Sequence, residues 1–66
     1  MENSLKIERA KKKITQEQLA QKVNVSRQTI NSLEAGRYVP SSLLALKIAK
    51  FFNTKLENIF KLENTD

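Results

Sequence analysis

The sequence contains no cysteine and no histidine, and only one glycine and one proline among its 66 residues. Without cysteine the chain can form neither a disulfide bond nor a thiolate metal site. Without histidine as well, carboxylates would be the only charged ligands for a structural zinc ion, and such sites normally use cysteine and histidine. We therefore expect no metal and no cofactor. A chain this short then gains extra stability most readily by oligomerisation.

The sequence also lacks a long apolar run and the residue patterns of an enzyme. Its longest apolar stretch, around residues 43–46, is far shorter than a membrane span, and the N-terminus has no apolar signal region. We expect a cytoplasmic protein with no membrane partner. A glycine-rich phosphate loop and a carboxylate pair spaced for acid–base work are missing too, so we expect no catalytic residues and no enzymatic activity.

Positive charge is concentrated in the first three quarters of the chain. The net charge is +5, with +6 on residues 1–50 and −1 on residues 51–66. A basic body favours contact with a polyanion such as nucleic acid, although a merely solvated basic surface would have the same composition.

Helix-forming residues dominate, and the pattern predicts one all-α domain over residues 1–66. Five helices are expected, at about residues 4–12, 16–23, 27–35, 42–52 and 55–60. Residues 61–66 then form a tail that either frays or makes a short strand. The fourth helix carries apolar residues around most of its circumference and is expected to be the most buried.

Several residues are suited to helix ends. Thr15 with Gln18 and Thr54 with Glu57 have the spacing of capping boxes. Serines precede the third and fourth helices as N-caps: Ser26 in the first case, and Ser41 or Ser42 in the second. Asn24, Gly36 and Asn53 stand where a left-handed residue ends a helix.

The second and third predicted helices are joined by three residues, Asn24–Ser26, which is the length of a helix-turn-helix turn. Asn24 can adopt the positive φ that the sharp reversal needs. Ala20 allows close approach of the two helices, and Ile30 and Leu33 mark the buried face of the third helix. Together, these features predict a helix-turn-helix unit.

The outer face of the third helix is polar and carries no large apolar side chain. If Ile30 points inward, Gln28 and Ser32 point outward, with Thr29 and Asn31 beside them and Arg27 in the first turn. Arginine pairs with guanine and glutamine with adenine in the major groove, so this face is a candidate DNA-reading surface. The alternative is a plain solvated helix face.

Further residues have predicted roles around this helix. Arg9 and Glu34 fall on facing sides of the first and third helices and can form a bidentate ion pair, unless both charges are simply solvated. Arg37 and Tyr38 follow the third helix at a position suited to contact with phosphates. Four stretches of the sequence are also typical of one known family of proteins: "TQEQLA", "VSRQTIN", "LEAGRYVPS" and "LALKIAKFF".

Residues 4–60 resemble the phage repressor and Cro family of helix-turn-helix regulators, called the Xre type. The chain is most similar to the very small bacterial members, such as the cytolysin repressor type. The resemblance implies a five-helix domain that binds operator DNA as a two-fold dimer in a bacterial or phage setting. It implies base contacts by Arg27, Gln28 and Ser32, with Thr29 and Asn31 as their neighbours, and a phosphate contact by Gln16. To these we add, as our own expectation, a base contact by Asn31 and phosphate contacts by Ser26, Thr29, Arg37 and Tyr38.

The resemblance also implies that the Arg9–Glu34 pair is structural and that the C-terminal segment makes the dimer. The sequence departs from the family at Asn24, where glycine is commoner, and at Glu8, where many members are apolar. In residues 56–66, apolar side chains crowd together without net positive charge, which favours a symmetric interface. The expected interface residues are Leu56, Ile59, Phe60 and Leu62.

The function these observations predict is a homodimeric, sequence-specific DNA-binding repressor whose partners are operator DNA and a second copy of itself, with no small-molecule ligand evident. One alternative is an antitoxin-type protein that binds a toxin and its own promoter. Another is a protein-interaction module that has lost DNA binding. Activation instead of repression would depend on where the operator lies relative to the promoter.

Overall fold

A computed structural model describes residues 2–37 and 39–62. Five helices and two very short strands form the fold of these residues. The elements, in chain order, are β1 Glu2–Asn3, α1 Leu5–Lys12, α2 Gln16–Val23, α3 Arg27–Glu34, α4 Ser42–Phe51, α5 Leu56–Ile59 and β2 Phe60–Lys61. The predicted all-α architecture with a helix-turn-helix in its second and third helices is confirmed. Within the two described ranges, no helix has both the length and the apolar character needed to cross a membrane.

Side-chain caps fix the starts of three helices. The Thr15 hydroxyl accepts a hydrogen bond from the Gln18 backbone N–H at 3.0 Å, and the Gln18 side chain accepts one from the Thr15 N–H at 2.9 Å. This is the predicted capping box. Ser26 caps α3 and Ser41 caps α4, each through a hydroxyl that accepts a hydrogen bond from a backbone N–H of its helix.

The second predicted capping box, at Thr54 and Glu57, is wrong. Helix α5 has Lys55 at its N-cap and no side-chain cap. The Thr54 hydroxyl accepts a hydrogen bond from the Asn58 side chain at 3.3 Å instead. The helix begins one residue later than expected and is a single turn, which leaves Thr54 too far from its first free N–H groups.

Left-handed residues end the helices where expected. Asn24, Gly36 and Asn53 have φ of 60°, 73° and 53°. Lys13 also has a positive φ, of 57°, and ends α1. Nothing in its side chain favours this conformation, so the sequence did not indicate it.

The core is one cluster between the helices. Its fully or nearly buried members come from every helix and from β2: Leu5, Leu19, Ala20, Val23, Ile30, Leu33, Leu44, Ala45, Ile48, Ala49, Phe52, Ile59 and Phe60. Helix α2 packs against α3 and α4, and α4 packs against α5. Leu5 anchors α1 in this cluster, whereas Ile7 is exposed.

Helix α4 has four buried residues, more than any other helix of the described ranges, as expected for the most buried helix. Two of its apolar side chains are nevertheless exposed. Leu43 and Leu46 are 64% and 58% exposed, because α4 meets α2 and α5 along one stripe and no described element covers its other side.

The two ends of the domain meet in a two-stranded antiparallel sheet, with Glu2 opposite Lys61 and Asn3 opposite Phe60. The tail therefore begins as a strand, one of the two outcomes left open by the sequence; residues 63–66 lie outside the described ranges. Strand β1 was not predicted. It is held further by Asn3, whose side-chain amide donates to the Leu33 carbonyl at 2.8 Å.

Candidate nucleic-acid interface

The helix-turn-helix is built by close packing of α2 on α3. The two helices are in contact, and both contribute buried side chains to the same core cluster: Ala20 and Val23 from α2, and Ile30 and Leu33 from α3. Val25, in the turn, is partly buried, and its N–H donates to the Ala20 carbonyl at 3.0 Å. Because these contacts use the inner face of α3, its outer face is left free of the core.

That outer face forms one polar groove. Arg27, Gln28 and Asn31 are exposed and Ser32 is half-buried. Together with Arg37 they line a cavity of about 570 Å³. The structure therefore brings all four residues expected to contact bases together, with one of the expected phosphate-contact residues at the edge.

Three of the other expected phosphate-contact residues, Gln16, Ser26 and Thr29, lie near the helix starts. Gln16 is the first residue of α2 and shares a second groove, of about 480 Å³, with Arg27 and Thr15. The Ser26 hydroxyl lies 2.9 Å from that of Thr29, at the start of α3. Tyr38 lies outside the described residues.

Arg9 and Glu34 form a bidentate ion pair between α1 and α3. Arg9 Nε lies 2.5 Å from Glu34 Oε2, and Arg9 Nη2 donates to Glu34 Oε1 at 3.0 Å. Arg9 Nη1 also donates to the Ile14 carbonyl at 2.9 Å. The hydrogen bond and attraction to Glu34 outweigh desolvation and raise the pKa of Arg9.

This ion pair extends into the groove through contacts that sequence reasoning missed. Gln16 Nε2 donates to Glu34 Oε1 at 3.2 Å, and Asn31 Nδ2 donates to Gln16 Oε1 at 3.3 Å. The residues are 15 to 18 positions apart, and only the crossing of α2 over α3 brings them together. Polar side chains at the start of α2 and on the flank of α3 were the available signal.

Positive charge in the groove is not neutralised by the rest of the described chain. Arg27 and Arg37 form no ion pair with any residue in the two described ranges, where the ion pairs are Arg9–Glu34 and Lys11–Glu8. The groove is therefore a concave, polar, positively charged surface on an exposed helix.

The expected dimer residues are placed differently from the prediction. Ile59 is fully buried and Phe60 nearly so, because α5 closes the core and β2 pairs with β1. A side chain with no exposed surface cannot contact a second copy, so Ile59 is corrected to a core residue, and Phe60 offers at most one edge. Leu56 is half-buried and Leu62 is 76% exposed.

Comparison with known proteins gives this arrangement a family. The helix-turn-helix family model matches residues 5–64, nearly the whole chain. The chain belongs to the Xre-type helix-turn-helix family. Members of this family are non-enzymatic DNA-binding proteins, so the prediction that the chain is not an enzyme is confirmed on that ground.

Two relatives that match over nearly their whole length carry the same assignment. An HTH-type transcriptional regulator of Methanocaldococcus jannaschii is 54% identical over all of both chains. The HTH-type transcriptional regulator YgzD of Bacillus subtilis is 51% identical over 96% of each chain. Multiprotein-bridging factor 1 of Candida albicans is 44% identical over 73% of this chain and 32% of its own length. Such a range of organisms leaves the expected bacterial or phage origin of this Xre-type chain undecided.

Proposed function

We propose that this protein is a homodimeric transcriptional repressor that inserts α3 into the major groove of a palindromic operator. The observation that carries the proposal is the polar groove of Arg27, Gln28, Asn31 and Ser32 on the exposed face of a helix-turn-helix. Arg27 is suited to the O6 and N7 atoms of guanine, and Gln28 to adenine.

Phosphate contacts would fix the register of α3 on the duplex. Gln16 begins α2, where the positive end of the helix dipole favours an anion. Ser26 and Thr29 stand at the start of α3, and Arg37 borders the groove. Tyr38 remains a proposed phosphate contact next to Arg37. These contacts supply affinity but carry no base information.

The homodimer is proposed on an apolar surface that differs in part from the one expected. A groove of about 370 Å³ runs between α4, α5 and β2 and is lined by Val39, Leu46, Leu56 and the edge of Phe60, among others. Two further exposed leucines belong to the same segments of the chain: Leu43 lies in the first turn of α4, and Leu62 directly follows β2. The described residues that line this groove are all uncharged, so pairing there does not bring like charges of the groove together.

Symmetric pairing of this surface would present two copies of α3 to successive turns of one DNA face, about 34 Å apart. Occupancy of such a site across a promoter is enough to block transcription. Repression therefore needs no surface beyond the DNA groove and the dimer interface.

Selection of bound DNA from a random duplex pool tests the proposal. We expect an enriched site with approximate two-fold symmetry. If the dimer neutralises about 6–10 phosphates, affinity for this site should fall about 10³–10⁵-fold between 50 and 200 mM salt. Enrichment of no sequence, or binding that is independent of salt, would contradict it.

A further inference from the structure

A continuous chain of hydrogen bonds runs from the interior of the domain to the groove. Arg9 donates to Glu34 at 2.5 and 3.0 Å, Gln16 donates to Glu34 at 3.2 Å, and Asn31 donates to Gln16 at 3.3 Å. The inner end is largely buried, with Glu34 only 7% exposed, whereas Asn31 at the outer end faces solvent.

The buried end fixes the direction of every bond in this chain. An ionised carboxylate can only accept hydrogen bonds, so Gln16 must turn its NH₂ group toward Glu34. The Gln16 carbonyl oxygen then faces Asn31. Because that oxygen also can only accept, Asn31 must turn its NH₂ group toward Gln16. An amide side chain that could otherwise flip is thereby held in one orientation.

This orientation determines what Asn31 can offer to a base. One N–H is donated to Gln16, and no other described residue bonds the Asn31 amide, which leaves its Oδ1 and second N–H for a base. Adenine presents an N6 donor and an N7 acceptor in the major groove, which match this pair. Guanine presents two acceptors, O6 and N7, and would need both N–H groups of the amide.

We propose that Asn31 reads adenine, and that Glu34 and Gln16 are positioning residues that set this specificity. The inference rests on the proposed insertion of α3 into the major groove. It gives Gln16 a second role: besides contacting a phosphate, it transmits the polarity of Glu34 to a base-reading side chain. Replacement of Gln16 should therefore change which sequences are preferred, and not only how tightly they are bound.

The test compares DNA sites selected by the wild-type chain and by three variants. Asn31→Ala identifies the base pair that residue 31 contacts, as the one position whose preference disappears. Gln16→Ala leaves the Arg9–Glu34 ion pair intact and frees the Asn31 amide. Arg37→Ala is the matched control, because it removes a proposed phosphate contact that lies outside the chain of hydrogen bonds. Circular dichroism checks that each variant is folded.

We expect the wild type to prefer adenine at the position identified by Asn31→Ala, by about 5- to 150-fold over the other bases. Gln16→Ala should reduce that preference at least several-fold and leave the preferences at the remaining positions in place. Arg37→Ala should weaken binding to all sequences by a similar factor.

Three results would overturn the proposal. The first is a wild-type preference for a base other than adenine at that position. The second is an Asn31→Ala variant that selects the same site as the wild type. The third is a Gln16→Ala variant that weakens all sequences equally, as a phosphate contact alone would do. In each case an enriched site at the other positions would leave the proposed function standing, whereas failure to enrich any sequence would remove both.

Discussion

Glu34 lies where three side chains meet, and the consequences of changing it differ from those of changing a surface carboxylate. It pairs with Arg9 across α1 and α3, and the two side chains are only 7% and 16% exposed. Removal of one partner leaves the other charge in a mostly dry environment without compensation. Among the ion pairs of the described residues, this is the one whose loss should lower the free energy of unfolding most.

We expect Arg9→Ala or Glu34→Ala to lower the free energy of unfolding by about 3–5 kcal/mol, and the double variant to cost much less than the sum of the two. Urea denaturation of the four proteins measures the coupling. Lys11 and Glu8 provide the control pair, since Lys11 is 67% exposed and the pair should couple by at most about 0.5 kcal/mol. A coupling between Arg9 and Glu34 as small as that of the control would mean that both charges are solvated.

Residue-level features could be predicted where the chemistry is local. Asn24 takes its left-handed conformation because its short polar side chain tolerates positive φ, and the Thr15–Gln18 box needs only four consecutive residues. The bonds of Gln16 to Glu34 and Asn31 could not be predicted. They depend on how α2 crosses α3, and several polar rotamers fit the same sequence.

At the scale of elements, α2, α3 and α4 begin at a side-chain N-cap, whereas α1 and α5 do not. Thr15 satisfies a backbone N–H of α2, whereas α5 starts without a side-chain cap. Thr15→Ala should therefore destabilise the domain by about 0.5–2 kcal/mol. Thr54→Ala, at the wrongly predicted cap, should change it by no more than about 0.5 kcal/mol. Thermal unfolding of both variants checks this; equal losses would show that Thr54 has a capping role after all.

The longer elements were predicted well and the edges poorly, for physical reasons. Helix α2 has the bounds that its cap and apolar stripe indicate. Helix α4 was expected to bury Leu43 and Leu46, because periodicity shows which residues are apolar but not which neighbours exist to cover them. Strand β1 carries no strand-forming pattern; it exists because the last strand lies beside it, nearly 60 residues away.

At the scale of the whole molecule, the uncovered apolar surface makes the proposed dimer testable. Sedimentation equilibrium at micromolar concentration should give about twice the chain mass of 7.6 kDa. Leu46→Lys and Leu62→Lys should shift the protein toward the monomer, because each places a charge in a symmetric apolar interface. Ile7→Lys is the control, as Ile7 is as exposed as Leu46 but, unlike Leu46, does not line the groove.

A wild-type mass near 7.6 kDa, both alone and with the selected duplex, would refute the dimer. So would a set of variants in which Ile7→Lys dissociates the protein as much as Leu46→Lys and Leu62→Lys do. Retained circular dichroism spectra would show that any dissociation does not come from unfolding.

The central claim is that the outer face of α3 reads DNA sequence, and one comparison tests it directly. Affinities for the selected duplex and for a scrambled duplex are measured for the wild type, Arg27→Ala, Gln28→Ala and Lys6→Ala. Lys6, exposed on α1, matches Arg27 in charge. Arg27→Ala and Gln28→Ala should each weaken binding to the selected duplex by about 1–3 kcal/mol and reduce its advantage over the scrambled one, while Lys6→Ala keeps that advantage. If Arg27→Ala and Gln28→Ala keep the full advantage as well, the reading face has been misplaced.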